Sequence, residues 1–469
     1  MEREYLFPSA TMERESLIDL QMRKLRYQLQ YAIDNSEFYA RLLSDVDIDQ
    51  IRARSDLSAL PTIDKEMLVE DQKDVPPYGT RCCVPEEKIA HVYMTGGTSG
   101  LGQEIYANTK VDLEWMGAGW LSWFHAMGLR KGDAVIQTLP ISTTEGPLSL
   151  LQGFRKAGIN AFHNAPYDTK TKIEKYMLPF APKAICAVPA YLTHMTVVCE
   201  EMGIDPKTDF PRLDTILTFA EPFTLEWVAQ IEETWGATVH EMYGSSQTAC
   251  FGSGTCENGV LHDGERGLMH FDELATLIEV IDPETGEQVE PGEVGEAVIT
   301  NLNREGTILI RFRSGDRVRY MPYDSCDCGR THDGFEAGTI ARYDDMMKIK
   351  GMNVWPEAVD GVVFAFPEIE EYHGTVSVDD RGREQVKIQV EFKDDGVSDE
   401  QANAVLNDLG GALKKDTGLR MDVERVGHGS LERFIMKVRR WDDQRREGLE
   451  RVTWGVSKTN VESASKEAK

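Results

Sequence analysis

Thr95-Gly96-Gly97-Thr98-Ser99-Gly100 alternates glycines with hydroxyl side chains. Such a loop lets backbone N–H groups converge on an anion, with Ser and Thr hydroxyls as further donors. The chemistry this suits is capture of a nucleotide polyphosphate; a polar hairpin loop is the other reading. No Gly-Lys-Ser/Thr follows, since Leu101-Gly102 comes next, so this is not a Walker loop. A second group of residues points to a metal. Cys326-Asp327-Cys328 places two thiols in one loop, and Cys256, His262 and His270 lie upstream. Three Cys and one His make a closed tetrahedral zinc site, which is structural because no position stays open for substrate. Free thiols are the alternative, with Cys250 as a further donor to weigh; Cys82, Cys83, Cys186 and Cys199 read as core or loop thiols.

Elements must position these loops. Ile89-Ala90-His91-Val92-Tyr93-Met94 reads as a strand leading into the Gly-rich stretch, and Glu104-Ile105-Tyr106-Ala107 as the strand returning from it. Residues 12–34 carry Leu17, Leu20, Leu25, Leu29 and Ile33 near the helical repeat. Leu60-Pro61-Thr62-Ile63-Asp64-Lys65-Glu66 reads as the start of a helix capped by Thr62 or Asp64. From 110 onward helices alternate with short apolar strands: 133–139, 160–162, 185–189, 216–220 and 238–243. That alternation predicts a parallel, doubly wound α/β sheet with ligands at the carboxyl ends of its strands. After about 266 the pattern changes to antiparallel strands joined by turns, as at 277–283 and 296–300. Beyond 344 comes a smaller mixed segment with strands near 386–392 and 421–426, and 442–469 reads as a polar, fraying tail.

The chain has 469 residues, 41% hydrophobic and 28% charged, enough for a large core and more than one domain. Its net charge of −28 argues against nucleic acid or an anionic membrane as a partner, though a nucleotide needs only a local cluster of donors. No apolar run is long enough to span a bilayer and no signal peptide is visible, which places the chain in the cytoplasm and its cysteines in the reduced state.

Several segments fall in an order that resembles the adenylate-forming acyl-CoA synthetases, specifically the phenylacetate–CoA ligase branch. They are Asn35-Ser36-x-Phe38-Tyr39, Leu60-Pro61-Thr62-x-Asp64-Lys65, the loop at 95–100, Phe219-Ala220-Glu221-Pro222, Tyr243-Gly244-Ser245-Ser246, Ser314-Gly315-Asp316, Ala341-Arg342-Tyr343-Asp344-Asp345 and Lys350-Gly351-Met352-Asn353-Val354-Trp355-Pro356. Each motif is weak alone; together, in sequence, they are specific. The resemblance covers residues 13 to about 440. It implies an ATP-dependent enzyme that joins a carboxylate to AMP and then to the thiol of CoA.

The resemblance assigns roles. Thr95, Gly96, Gly97, Thr98, Ser99 and Gly100 would hold the β- and γ-phosphates. Ala220, Glu221, Pro222, Tyr243 and Gly244 would border adenine. Asp316 would accept from the ribose hydroxyls, a surface turn acid being the alternative. Arg342 would contact phosphate or ribose. Ser246 and Gln247 would serve Mg²⁺, and Lys437 would bridge the carboxylate and the α-phosphate; without the resemblance it reads as a solvated lysine beside Arg439 and Arg440. Asp344 matches the hinge about which the family's small domain rotates. Some members of the branch carry a structural zinc with Cys placed like Cys256, and His270 fits the family's His segment better than His262, giving Cys256, His270, Cys326 and Cys328. Four places depart from the family pattern, one being Ser246, which replaces Thr and keeps the hydroxyl. Leu101-Gly102 replaces Lys-Pro, Gln247 replaces the Glu that helps hold Mg²⁺, and Ala341 replaces the hinge glycine.

The expected fold is thus α/β: a large multi-subdomain N-terminal α/β domain (1–343) binding ATP and acyl group, and a small mobile α+β C-terminal domain (344–469) carrying the lysine. The expected function is an aryl acid–CoA ligase using ATP, Mg²⁺ and CoA, with zinc as a structural ion and a homodimer as the form the branch implies. The polar stretch Thr138–Pro147 favours an aromatic acid with its own polar substituent, because an unpaired buried donor is costly. The alternatives are an adenylyltransferase without a CoA step and a non-catalytic nucleotide binder, the latter motivated by Leu101 and Gln247.

Overall fold

The computed structural model describes residues 5–95, 103–141, 145–163, 167–221, 223–247, 252–343, 346–350, 352–379, 383–394, 396–433 and 440–446. Contacts divide the chain into two compact units. One comprises 1–187, 195–220 and 229–340; the other comprises 188–194, 221–228 and 341–469. Among the described residues no helix is long and apolar enough to cross a membrane.

The first unit is built on one long mixed sheet. Its parallel part runs Asn160–Phe162, Ala134–Gln137, Ala184–Cys186, Thr215–Thr218 and Thr238–Tyr243 in spatial order. These strands are short and, except for the partly exposed edge strand Asn160–Phe162, almost wholly buried, as expected where helices cover both faces. The chain leaves Ala134–Gln137 to one side and returns to its other side at Ala184–Cys186. That reversal opens a crevice at the carboxyl ends of the strands. The sheet continues, antiparallel, through Ser253–Thr255, Leu268–Phe271, Gly334–Glu336, Phe312–Met321, Val294–Asn301 and Thr276–Ile281. The change of pattern therefore falls at 253, earlier than the sequence suggests. Three residues are too few to show a periodicity.

Helix Arg14–Asn35 lays Met22, Leu25, Leu29 and Ala32 against a core that includes Leu277 and Ile308–Ile310. Asp64, not Thr62, caps helix Lys65–Asp74, its carboxylate accepting from Met67 N–H at 3.0 Å. Helix Glu145–Ala157 begins three residues before the expected Leu148. Pro147 sits in its first turn, where a missing N–H costs nothing.

In the second unit, Ile369–Val378 and Glu384–Phe392 form a long antiparallel pair flanked by Asp422–Val426. Helices Pro356–Val363 and Asp399–Thr417 cover it, burying Val359, Val363, Leu409 and Leu413. The expected polar tail needs correction at its start. Trp441–Asp443 is a strand, parallel to Ile369–Val378, and Trp441 donates its indole N–H to Tyr372 Oη at 3.2 Å. An edge strand this short carries no alternating apolar signal, so its sequence reads as tail.

Candidate functional site

The carboxyl end of Thr238–Tyr243 carries a paired phenol and acid. Tyr243 Oη donates to Asp316 Oδ2 at 2.6 Å, and both side chains are buried. Asp316 is held there by a distortion of strand Phe312–Met321. Gly315 takes φ = 73°, a value that favours glycine, and the pairing with Val294–Asn301 slips in register between Glu296 and Val298. Such a bulge re-aims a side chain. Ser314 Oγ fastens it, donating to Ala297 O at 2.7 Å and accepting from Asp316 N–H at 3.0 Å. Edge-on contact with Phe335, centroids 5.4 Å apart, fixes the Tyr243 ring. An aromatic face beside an acceptor-only carboxylate is a combination that recognises a nucleoside: stacking for the base, acceptance for ribose hydroxyls.

A second cluster surrounds Glu104, which is fully buried. Thr95 N–H donates to Glu104 O at 3.0 Å, and Glu104 N–H to Thr95 Oγ1 at 3.0 Å; the Thr95 hydroxyl in turn donates to the Glu104 carboxylate. Gln247 Nε2 donates to Glu104 Oε1 at 3.1 Å, and Lys65 Nζ stands 3.3 Å from Oε2. Thr95 and Gln247, both expected at the phosphate end, thus meet on one carboxylate. Sequence reasoning missed Glu104, which reads as an ordinary strand residue. Lys65 reads from sequence as part of a helix start at 60–66.

Other expected nucleotide-site residues are distributed as follows. Gly244 and Ser246 follow the Tyr243 strand, Ser246 half-buried in a turn. Ala220, after Thr215–Thr218, holds a left-handed φ of 69°. Glu221 and Arg342 fall in the second unit. Arg342 is exposed; Glu221 is buried and accepts from Ala190 N–H at 3.1 Å. Gly96, Gly97, Thr98, Ser99, Gly100, Pro222, Asp344 and Lys437 lie outside the described residues, as do Cys250 and Leu101.

The structure brings together Cys256, His270, Cys326 and Cys328, with one ligand atom from each within 4.8 Å of the others. Cys256 follows strand Ser253–Thr255, His270 lies on the neighbouring strand, and Cys326 and Cys328 follow the turn Tyr323–Ser325. The distances fit a metal. Zn–S bonds of about 2.3 Å at tetrahedral angles set sulfurs about 3.8 Å apart, and sulfur about 3.6 Å from an imidazole nitrogen. Cys256 Sγ and Cys326 Sγ are 3.8 Å apart, and Cys328 Sγ is 3.3 Å from His270 Nε2. His270 Nδ1 lies 2.7 Å from His332 O; a carbonyl can only accept, so Nδ1 carries the proton and Nε2 turns its lone pair to the thiols. Arg330 N–H points at Cys328 Sγ at 3.4 Å, a donor suited to a thiolate. His262 instead faces Asp327 and Asp263. The cluster's neighbours Glu273 and Asp333 are both engaged by Arg14, at the start of helix Arg14–Asn35, and by Arg54, at the start of the short helix Arg54–Ala59.

Comparison with known proteins agrees with this architecture. The family model of the AMP-binding enzymes matches residues 25–303, and that of the AMP-binding enzyme C-terminal domain matches 351–445. The chain belongs to the AMP-binding enzyme family, and is an AMP-forming ligase. Within that class it is similar to phenylacetate-coenzyme A ligases. It is 29% identical to that of Thermus thermophilus over 82% of this chain and 83% of the relative. For that of Pseudomonas putida the figures are 27%, 92% and 95%. A crystal structure of 2-hydroxyisobutyryl-CoA ligase with 2-HIB-AMP, in the postadenylation state, superposes with a TM-score of 0.86. It is 24% identical, with 95% of this chain and 93% of that one covered, and shows the same fold.

Proposed function

We propose that this protein is an ATP-dependent aryl acid–CoA ligase, which activates an aromatic carboxylate as acyl-AMP and passes the acyl group to the thiol of CoA. The observation that carries the reading is the Tyr243–Asp316 pair at the carboxyl end of the parallel sheet, in a chain of this family. Its relatives' names supply the aromatic acid and CoA. In this reading Tyr243, Gly244, Ala220, Glu221 and Pro222 border adenine, and Asp316 accepts from the ribose. Thr95 to Gly100 hold the outer phosphates, while Ser246 and Gln247 serve Mg²⁺, an ion that takes oxygen ligands and keeps several waters. Attack of one anion on another needs cations and donors, which Arg342 and Lys437 would supply. Rotation of the small domain about Asp344 would then exchange Lys437 for a thiol channel. The polar stretch around Thr138 supports an acid with a polar substituent. Cys256, His270, Cys326 and Cys328 would hold a structural zinc, which supplies cross-linking and no step of the reaction.

The test is pyrophosphate release with ATP, Mg²⁺ and a panel of aryl carboxylates, with and without CoA, for wild type and Lys437→Ala. Acid-dependent release that rises with CoA and collapses in the variant is expected. Release indifferent to CoA would favour an adenylyltransferase; none with any acid would favour a non-catalytic binder. Faster turnover of fatty acids would overturn the aromatic assignment.

A further inference from the structure

Among the described residues, the polar side chains that meet the Glu104 carboxylate are all donors. The Thr95 hydroxyl, Gln247 Nε2 at 3.1 Å, Tyr106 Oη at 3.5 Å and Lys65 Nζ at 3.3 Å converge on its two oxygens. A buried charge is tolerated only where it is paired and hydrogen-bonded, and here it is. An ionised carboxylate only accepts, so the amide of Gln247 has one permitted orientation: NH₂ toward Glu104, Oε1 away from it. A glutamate at 247 would set two carboxylates face to face at hydrogen-bond distance, and one of them would have to take up a proton.

We propose that Glu104 is a positioning residue for the triphosphate–Mg²⁺ end of the site, and that Glu104 and Gln247 form a charge-exchanged pair. The acid stands at 104, neutralised by Lys65, and the amide at 247 is the complement this acid requires. Glu104 acts through others. It anchors Thr95, next to the Gly-rich loop, and turns Gln247 Oε1 away from the carboxylate, as the oxygen left to serve a hydrated cation. The inference rests on the reading of this end as the ATP-phosphate site, and it accounts for Gln247 without loss of function. The departure from the family's glutamate is a relocation of charge over 143 residues of sequence.

Binding of Mg²⁺–AMP-PNP and of AMP, measured by calorimetry on the full chain, tests it without any acyl substrate. Gln247→Glu and Glu104→Gln are each expected to weaken Mg²⁺–AMP-PNP at least tenfold and to leave AMP, which lacks the outer phosphates, within twofold. The double variant Glu104→Gln/Gln247→Glu restores the donor–acceptor match and is expected within threefold of wild type. A double variant no better than the weaker single, or equal losses for AMP and AMP-PNP, would overturn the inference while leaving the ATP site intact. A wild type that binds AMP but gains nothing from the outer phosphates would overturn both readings. Thermal melting checks folding. If Glu104→Gln does not fold, Gln247→Glu, isosteric and half-buried, still decides: wild-type affinity for Mg²⁺–AMP-PNP there refutes the pair.

Discussion

Replacing Cys326 with serine removes one corner of the thiol–imidazole cluster and should release its metal. Cys326 is the half-buried member of the four, so the change leaves little cavity and the effect reads mainly on the ion. The geometry sets the scale. Sulfurs 3.8 Å apart stand at the spacing that tetrahedral coordination requires. An ion that binds only the folded chain at a thousandfold excess over its dissociation constant adds about 4 kcal/mol. At roughly 1 °C per kcal/mol for a chain of this size, that is about 4 °C in melting temperature. The assay pairs elemental analysis with thermal melting. Wild type should carry one zinc per chain; Cys326→Ser should carry almost none and melt about 4 °C lower. Cys82→Ser, a half-buried thiol outside the cluster, should keep both properties. Turnover per folded molecule below the melting range should be unchanged, because a closed four-ligand site offers no open position to substrate. Zinc-free wild type, or a Cys326→Ser protein that melts with wild type, would refute the assignment.

The Tyr243–Asp316 pair predicts an unequal pair of defects: Asp316→Asn, which removes the charged ribose acceptor, should raise the KM for ATP at least tenfold. Tyr243→Phe, which loses one hydrogen bond of about 1 kcal/mol, should raise it about fivefold; the reverse ranking in steady-state kinetics would contradict the role given to Asp316. Burial pushes Glu145 up to about 8, against the opposing pull of Arg304 and of the Asn108 amide, which donates to its Oε1 at 3.2 Å. Between its unfolded value near 4.5 and 8, the folded chain keeps a proton that the unfolded chain releases. Stability from this group is complete at the acid end of that window and falls by roughly 1.4 kcal/mol per pH unit as pH rises. Urea titrations from pH 5 to 8 should show that decline in wild type and a flatter line in Glu145→Gln; parallel lines would remove Glu145 as its source.

What could be read from the chain alone was local. The alternation of helix and strand from 110 to 243 follows from hydrophobic periodicity, which neighbouring residues set among themselves, and the five parallel strands appear where it places them. Cys326 and Cys328 were legible as a ligand pair because a shared loop keeps them close. The choice of His270 over His262 came from the family resemblance, and sheet register is the physical reason for it. His270 lies opposite Gly254 on the neighbouring strand, two residues before Cys256, whereas His262 belongs to a separate two-stranded ribbon. The strand at Trp441–Asp443 and the Glu104 cluster were not legible for the same reason. A parallel partner 67 residues away, or an amide 143 residues away, leaves no periodic trace in either segment. Sequence types each residue and sets its element; only the closing of the sheet decides which buried carboxylate meets which donor, because that energy exists once both have left water.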